Sequence, residues 1–136
     1  MPGSRVHATL PQASPDYTVQ LRARQHTLAA DEPMPAGGAD AGFRPFELAL
    51  AGLVSCTAIT LRMYAARKGW VLGDVQVDAQ IRQDGEAYAI DRTVTLSGAL
   101  TDEQRQRLRE ICEKTPVTLF MKRGASVVTQ VVGKAE

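Results

Sequence analysis

The chain has 136 residues, 44% hydrophobic and 5% aromatic, a length and balance suited to one domain with an ordinary core. Its 16 Lys and Arg against 15 Asp and Glu leave a net charge of +1 with no basic stripe, which argues against nucleic acid or an anionic membrane surface as a partner. No apolar run reads as a membrane span, and MPGSRVHATL lacks the unbroken apolar core of a secretory signal, so a cytoplasmic location is expected.

Residues 1–16 read as an arm or edge strand, with a short strand at Arg5 to Leu10. From Tyr17 to Ala29 the chain alternates: Tyr17, Val19, Leu21 and Ala23 fall on one face and Thr18, Gln20, Arg22 and Arg24 on the other, as in a half-buried strand. A turn near Arg24 and Gln25 divides this stretch into two strands. ADEPMPAGGADAG, from Ala30 to Gly42, is rich in Pro and Gly and reads as the loop that leads into the longest helix.

That helix lies within Phe43 to Trp70. Pro45 suits the first turn, Glu47 places a negative charge at the positive end of the dipole, and Arg67 and Lys68 occupy the last turn before Gly69. Leu48 to Ile59 carries no charge and is apolar or small all the way round, which predicts a helix buried on every side but too short to cross a bilayer. A domain of this size leaves roughly a third of its unfolded-chain surface exposed, so covering such a helix calls for a second subunit. Ala49, Ala51, Gly52, Ser55 and Ala58 would let another backbone approach, and a homodimer with this helix near its seam is expected. The alternative is a helix packed only on its own sheet.

After Trp70 the period changes. Val75, Val77, Ala79 and Ile81 alternate with polar residues, Asp84-Gly85 supplies a turn, and Tyr88, Ile90, Val94 and Leu96 alternate on the return. Thr101 and Gln104 form a capping box opening a second helix, whose inner face holds Leu108, Ile111 and Cys112. Pro116 must break that helix, with Thr115 as N-cap and Pro116 as first residue of a third one ending at Gly124. Ser126 to Val132 reads as a last strand. The whole is a single α+β domain, 1–136, with a mainly antiparallel sheet.

Two cysteines, Cys56 and Cys112, have neither CxxC nor zinc-like spacing, and a structural disulfide is not expected in the cytoplasm. Taken alone, each reads more readily as a small buried apolar residue than as a functional thiol. No phosphate loop, metal set or cofactor signature is present, and His7 and His26 read as surface or hydrogen-bonded residues.

Several separated motifs, in order, carry a resemblance: Asp31-Glu32-Pro33, Gly37-Gly38, Pro45 with Glu47, Cys56 followed by Thr57 and Thr60, Met63-Tyr64-Ala65 with Lys68-Gly69, the DRTVTLSGAL segment and the TDEQRQRL helix start. Together they resemble the OsmC/Ohr family, the osmotically inducible and organic hydroperoxide resistance proteins, and the OsmC-like branch in particular. The resemblance implies an intertwined homodimer in which a mainly antiparallel sheet wraps central helices, with two sites at the interface. It also implies a peroxidatic cysteine that is oxidised by a hydrogen or organic peroxide, captured by a resolving cysteine and reset by an external thiol or dithiol.

Cys56 matches the peroxidatic position and Glu47 a glutamate that holds an activating arginine. Arg22 and Arg24 are both candidates for that arginine, which the resemblance places near the N-terminal hairpin, often of the partner subunit. On a straight helix, Glu47 and Cys56 lie on opposite sides about 13 Å apart along the axis. A later start or kink, a bridging arginine, and a purely helix-capping Glu47 all remain open. Where the family pattern reads Cys-Pro-Val, this chain has Thr115-Pro116-Val117, so the resolving sulfur is missing and Cys112 is a possible substitute. Two functions follow: a one-cysteine thiol peroxidase working through Cys56, or a non-catalytic binding module that holds a small hydrophobic ligand.

Overall fold

The computed structural model describes residues 3–14 and 16–133; Met1, Pro2 and Pro15 of the expected arm lie outside them. By its internal contacts the chain comprises two compact units, 1–52 and 53–136. The first contains an antiparallel three-stranded sheet in the order β1 (His7–Thr9), β2 (Val19–Ala23) and β3 (His26–Ala30). Val19, Leu21 and Ala23 form the half-buried face of β2, as the alternation requires. Arg24, with φ 55°, makes the turn that pairs Ala23 with His26.

Asp31 organises the loop that follows. Its carboxylate accepts hydrogen bonds from the Thr18 hydroxyl at 2.7 Å and from the backbone N–H groups of Glu32 at 2.7 Å and Ala41 at 3.2 Å. The loop therefore closes on itself around one buried acid before entering α1. A Cβ at Gly38 would stand 2.0 Å from the Glu32 carbonyl oxygen, so only glycine fits that close approach.

Helix α1 (Pro45–Lys68) begins at the expected proline. It ends in a Schellman motif: the Trp70 N–H reaches the Ala65 carbonyl at 2.9 Å and the Gly69 N–H the Ala66 carbonyl at 3.3 Å, with Gly69 at φ 74°. Its burial differs from the expectation. Leu53, Thr57, Leu61 and Ala65 form one buried stripe at a spacing of four, while Ile59 and Met63 are exposed. The chain's own elements cover one face, and the other apolar residues face outward. By length and composition alone α1 is long and apolar enough to cross a membrane, which corrects the expectation that no such segment exists.

In the second unit, β4 (Val75–Asp84) and β5 (Ala87–Leu96) pair antiparallel through a two-residue loop, Gly85-Glu86. Positive φ at Gly85 alone is the pattern of a type II′ hairpin turn. Helix α2 (Asp102–Cys112) opens with the capping box, the Thr101 hydroxyl accepting from the Gln104 N–H and the Gln104 side chain from the Thr101 N–H. Helix α3 (Pro116–Arg123) starts at the proline with Thr115 as N-cap. Leu61, Ala65, Leu72, Leu108 and Cys112 form the buried cluster between these elements, flanked by Tyr64, Trp70, Val94 and Leu96.

The expected last strand is absent: residues 126–132 adopt no regular structure, and Val127, Val128, Val131 and Val132 are more than four-fifths exposed. A strand needs a neighbouring edge for its backbone groups, and no strand among the described residues pairs with this segment.

Candidate functional site

Cys56 lies in the middle of α1, a half-buried free thiol whose sulfur shares a hydrogen bond of 3.8 Å with the Thr60 hydroxyl one turn further on. The next residue, Thr57, is fully buried and donates to the Leu53 carbonyl at 2.7 Å. Consecutive helix positions diverge by about 100°, so Thr57 points into the protein while Cys56 points along a different, more open face.

Thr57 leads to a residue the sequence reading passed over. Arg92 on β5 has a largely buried side chain, 12% exposed. One guanidinium nitrogen donates to the hydroxyls of Thr57 at 3.0 Å and Thr118 at 2.9 Å; the other donates to the Cys112 carbonyl at 2.8 Å and approaches the Glu113 carboxylate at 3.4 Å. A single planar cation thus ties α1, β5 and α3 to the C-terminal end of α2. The available signal was an interruption: along Tyr88, Ile90, Val94 and Leu96, position 92 falls on the inward face and carries a charge.

Thr115 belongs to the same buried network. It is wholly buried, its hydroxyl lies 2.6 Å from that of Thr118, and it caps α3. Cys112 is a buried free thiol at the end of α2. Burial pushes its pKa up, against the smaller opposing effect of Arg92. Glu113 is the reverse case, held below the usual carboxylate range first by the Lys122 hydrogen bond, with Arg92 adding to it.

The remaining candidates lie in the first unit. Glu47 is exposed in the first turn of α1, where its carboxylate accepts the Arg44 N–H at 2.9 Å, so it caps the helix in the way an acid at that position should. Arg22 lies on β2 in register with His7 and Thr27, and Arg24 occupies the tip of the β2–β3 turn. No group of three or more His, Cys, Asp or Glu that could hold a metal occurs among the described residues.

Residues 37–130 match the family described as OsmC-like protein. Solved structures share the fold at low identity. The organic hydroperoxide resistance protein OsmC of Legionella pneumophila has a TM-score of 0.63 at 16% identity, with 88% of each chain covered. An OsmC-like protein of Mycoplasma pneumoniae has 0.68 at 14%, covering 88% of this chain and 86% of that one. The organic hydroperoxide resistance protein OhrB of Bacillus subtilis has 0.59 at 19%, covering 88% and 90%. No curated protein matches the sequence. The α+β architecture with antiparallel sheets is that of the OsmC fold, and the chain belongs to the OsmC-like protein family.

Proposed function

We propose that the protein is a thiol-dependent peroxidase, reducing organic or hydrogen peroxide through Cys56 as a one-cysteine enzyme. The observation that carries this reading is the contrast between the two thiols. Cys56 is only half-buried and lies beside a hydroxyl, whereas Cys112 is buried and burial pushes its pKa up. Family membership and the low-identity likeness to hydroperoxide resistance proteins support it.

In the proposed cycle the Cys56 thiolate attacks the peroxide O–O bond. Cysteine sulfur becomes a sulfenic acid, and the departing alkoxide or hydroxide takes up a proton. With threonine at position 115, an external thiol condenses with the sulfenic acid, releasing water and leaving a mixed disulfide. A second thiol then restores Cys56 and leaves as the oxidised disulfide. A cytoplasmic location would supply those thiols.

Because the thiolate is the nucleophile, a cation must favour it. We assign that role to Arg22 or Arg24 of the N-terminal hairpin, with Glu47 orienting the guanidinium, and the working form to a homodimer of single-domain chains. Dithiol-dependent peroxide consumption tests the reading. Cys56→Ser should abolish turnover, and Cys112→Ser should retain most of it. Equal, negligible consumption by wild type and Cys56→Ser would instead favour the binding module, and intact-mass measurement after dilute peroxide would then show Cys56 unmodified.

A further inference from the structure

A cavity that Cys56 does not line lies inside the second unit between β5 and α2. It measures about 280 Å³, near the small end of the range that holds small-molecule ligands. Val94, Leu96, Leu100 and Leu108 form an apolar wall, and the cavity is partly open to solvent. Its charged lining is unbalanced: three arginines, Arg92, Arg105 and Arg109, against a single acid, Glu113.

The charges are also committed unequally. Arg92 is held by its four partners, and Glu113 is already met by Arg92 and by Lys122 at 2.6 Å. Arg105 donates to the Leu100 carbonyl and pairs with Asp102. Arg109 pairs with no carboxylate among the described residues; its bond goes to the neutral Gln106 amide at 2.6 Å. An apolar wall beside a guanidinium without a counter-ion is complementary to a molecule with an aliphatic body and one anionic head.

We infer that this cavity binds a short aliphatic monocarboxylate, its chain against Val94, Leu96, Leu100 and Leu108 and its carboxylate on Arg109. The site is independent of the peroxidase reading, because none of its walls includes Cys56.

The experiment is calorimetric titration of octanoate, with octanol as the uncharged control. Wild type and Cys56→Ser should both bind octanoate saturably, one per chain. Val94→Phe, which fills the cavity from β5, should abolish binding of both probes. Arg109→Gln alters an exposed polar contact and should leave the fold intact; it should weaken octanoate by about tenfold, the scale of one lost charge-assisted hydrogen bond, and leave octanol unchanged. Absence of saturable octanoate binding, loss of it in Cys56→Ser, its survival in a folded Val94→Phe, or equal losses for the two probes in Arg109→Gln would each overturn the assignment.

Discussion

Arg92 is where the polar interior of the second unit converges. Replacing it with Met would keep much of the side chain's bulk but leave the Cys112 carbonyl and two threonine hydroxyls without their donor. Each hydroxyl keeps a second partner, because Thr118 lies 2.6 Å from the Thr115 hydroxyl and Thr57 bonds the Leu53 carbonyl. The stranded carbonyl and the lost ion pair with an exposed Glu113 set the scale. Arg92→Met is expected to cost about 2–3 kcal/mol in urea unfolding. Arg92→Lys should recover less than half of that, since a compact ammonium cannot span four acceptors as a planar fork does. A variant within about 0.5 kcal/mol of wild type would show that the network is ornamental. The same residue shows where sequence reading stops. An inward charge on a strand is visible in the alternation, but its partners come from positions 57, 112, 113 and 118, which only the tertiary fold assembles.

Among the elements, the features recoverable from sequence were those set by neighbours in the chain. The Thr101–Gln104 capping box, the proline break after Thr115, the glycine stop at Gly69 and the β4–β5 hairpin all depend on contacts within a few residues or across a tight turn. The segment 126–132 failed because β-branched composition states a preference, while a strand also requires an edge to pair with. The loop around Asp31 is intermediate: its Pro and Gly content is plain, but its closure on one buried carboxylate is not. That carboxylate has a pKa below its ordinary value, chiefly through the Thr18 hydroxyl, with the loop N–H groups adding to it. A depressed folded-state pKa stabilises the fold above the unfolded value near 3.8 and loses that contribution as pH falls through the folded value. Asp31→Asn should therefore lower the thermal midpoint at pH 7, with the gap from wild type closing as the pH is taken below about 4. A gap that stays constant between pH 7 and pH 3 would mean that ionisation of Asp31 contributes nothing to the loop.

At the scale of the whole molecule, the question is what covers α1. Only 22% of its most apolar stretch is buried by the chain itself, with Ile59 and Met63 exposed at a spacing of four on one face. A bilayer would accept an apolar helix of this length, but its ends lead into antiparallel sheets and capped helices, and four exposed valines at 127, 128, 131 and 132 await a strand partner. A second copy could satisfy both needs, offering apolar surface to α1 and a sheet edge to the valine-rich segment. Sedimentation without detergent should accordingly give twice the 14.7 kDa of one chain. Ile59→Arg, which places a charge on the outward face and leaves the buried stripe of Leu53, Thr57, Leu61 and Ala65 untouched, should shift the protein to monomer at micromolar concentration. If Ile59→Arg sediments as wild type, the seam lies elsewhere. If wild type instead requires detergent and floats with lipid vesicles, α1 is covered by lipid and the two-copy arrangement is wrong.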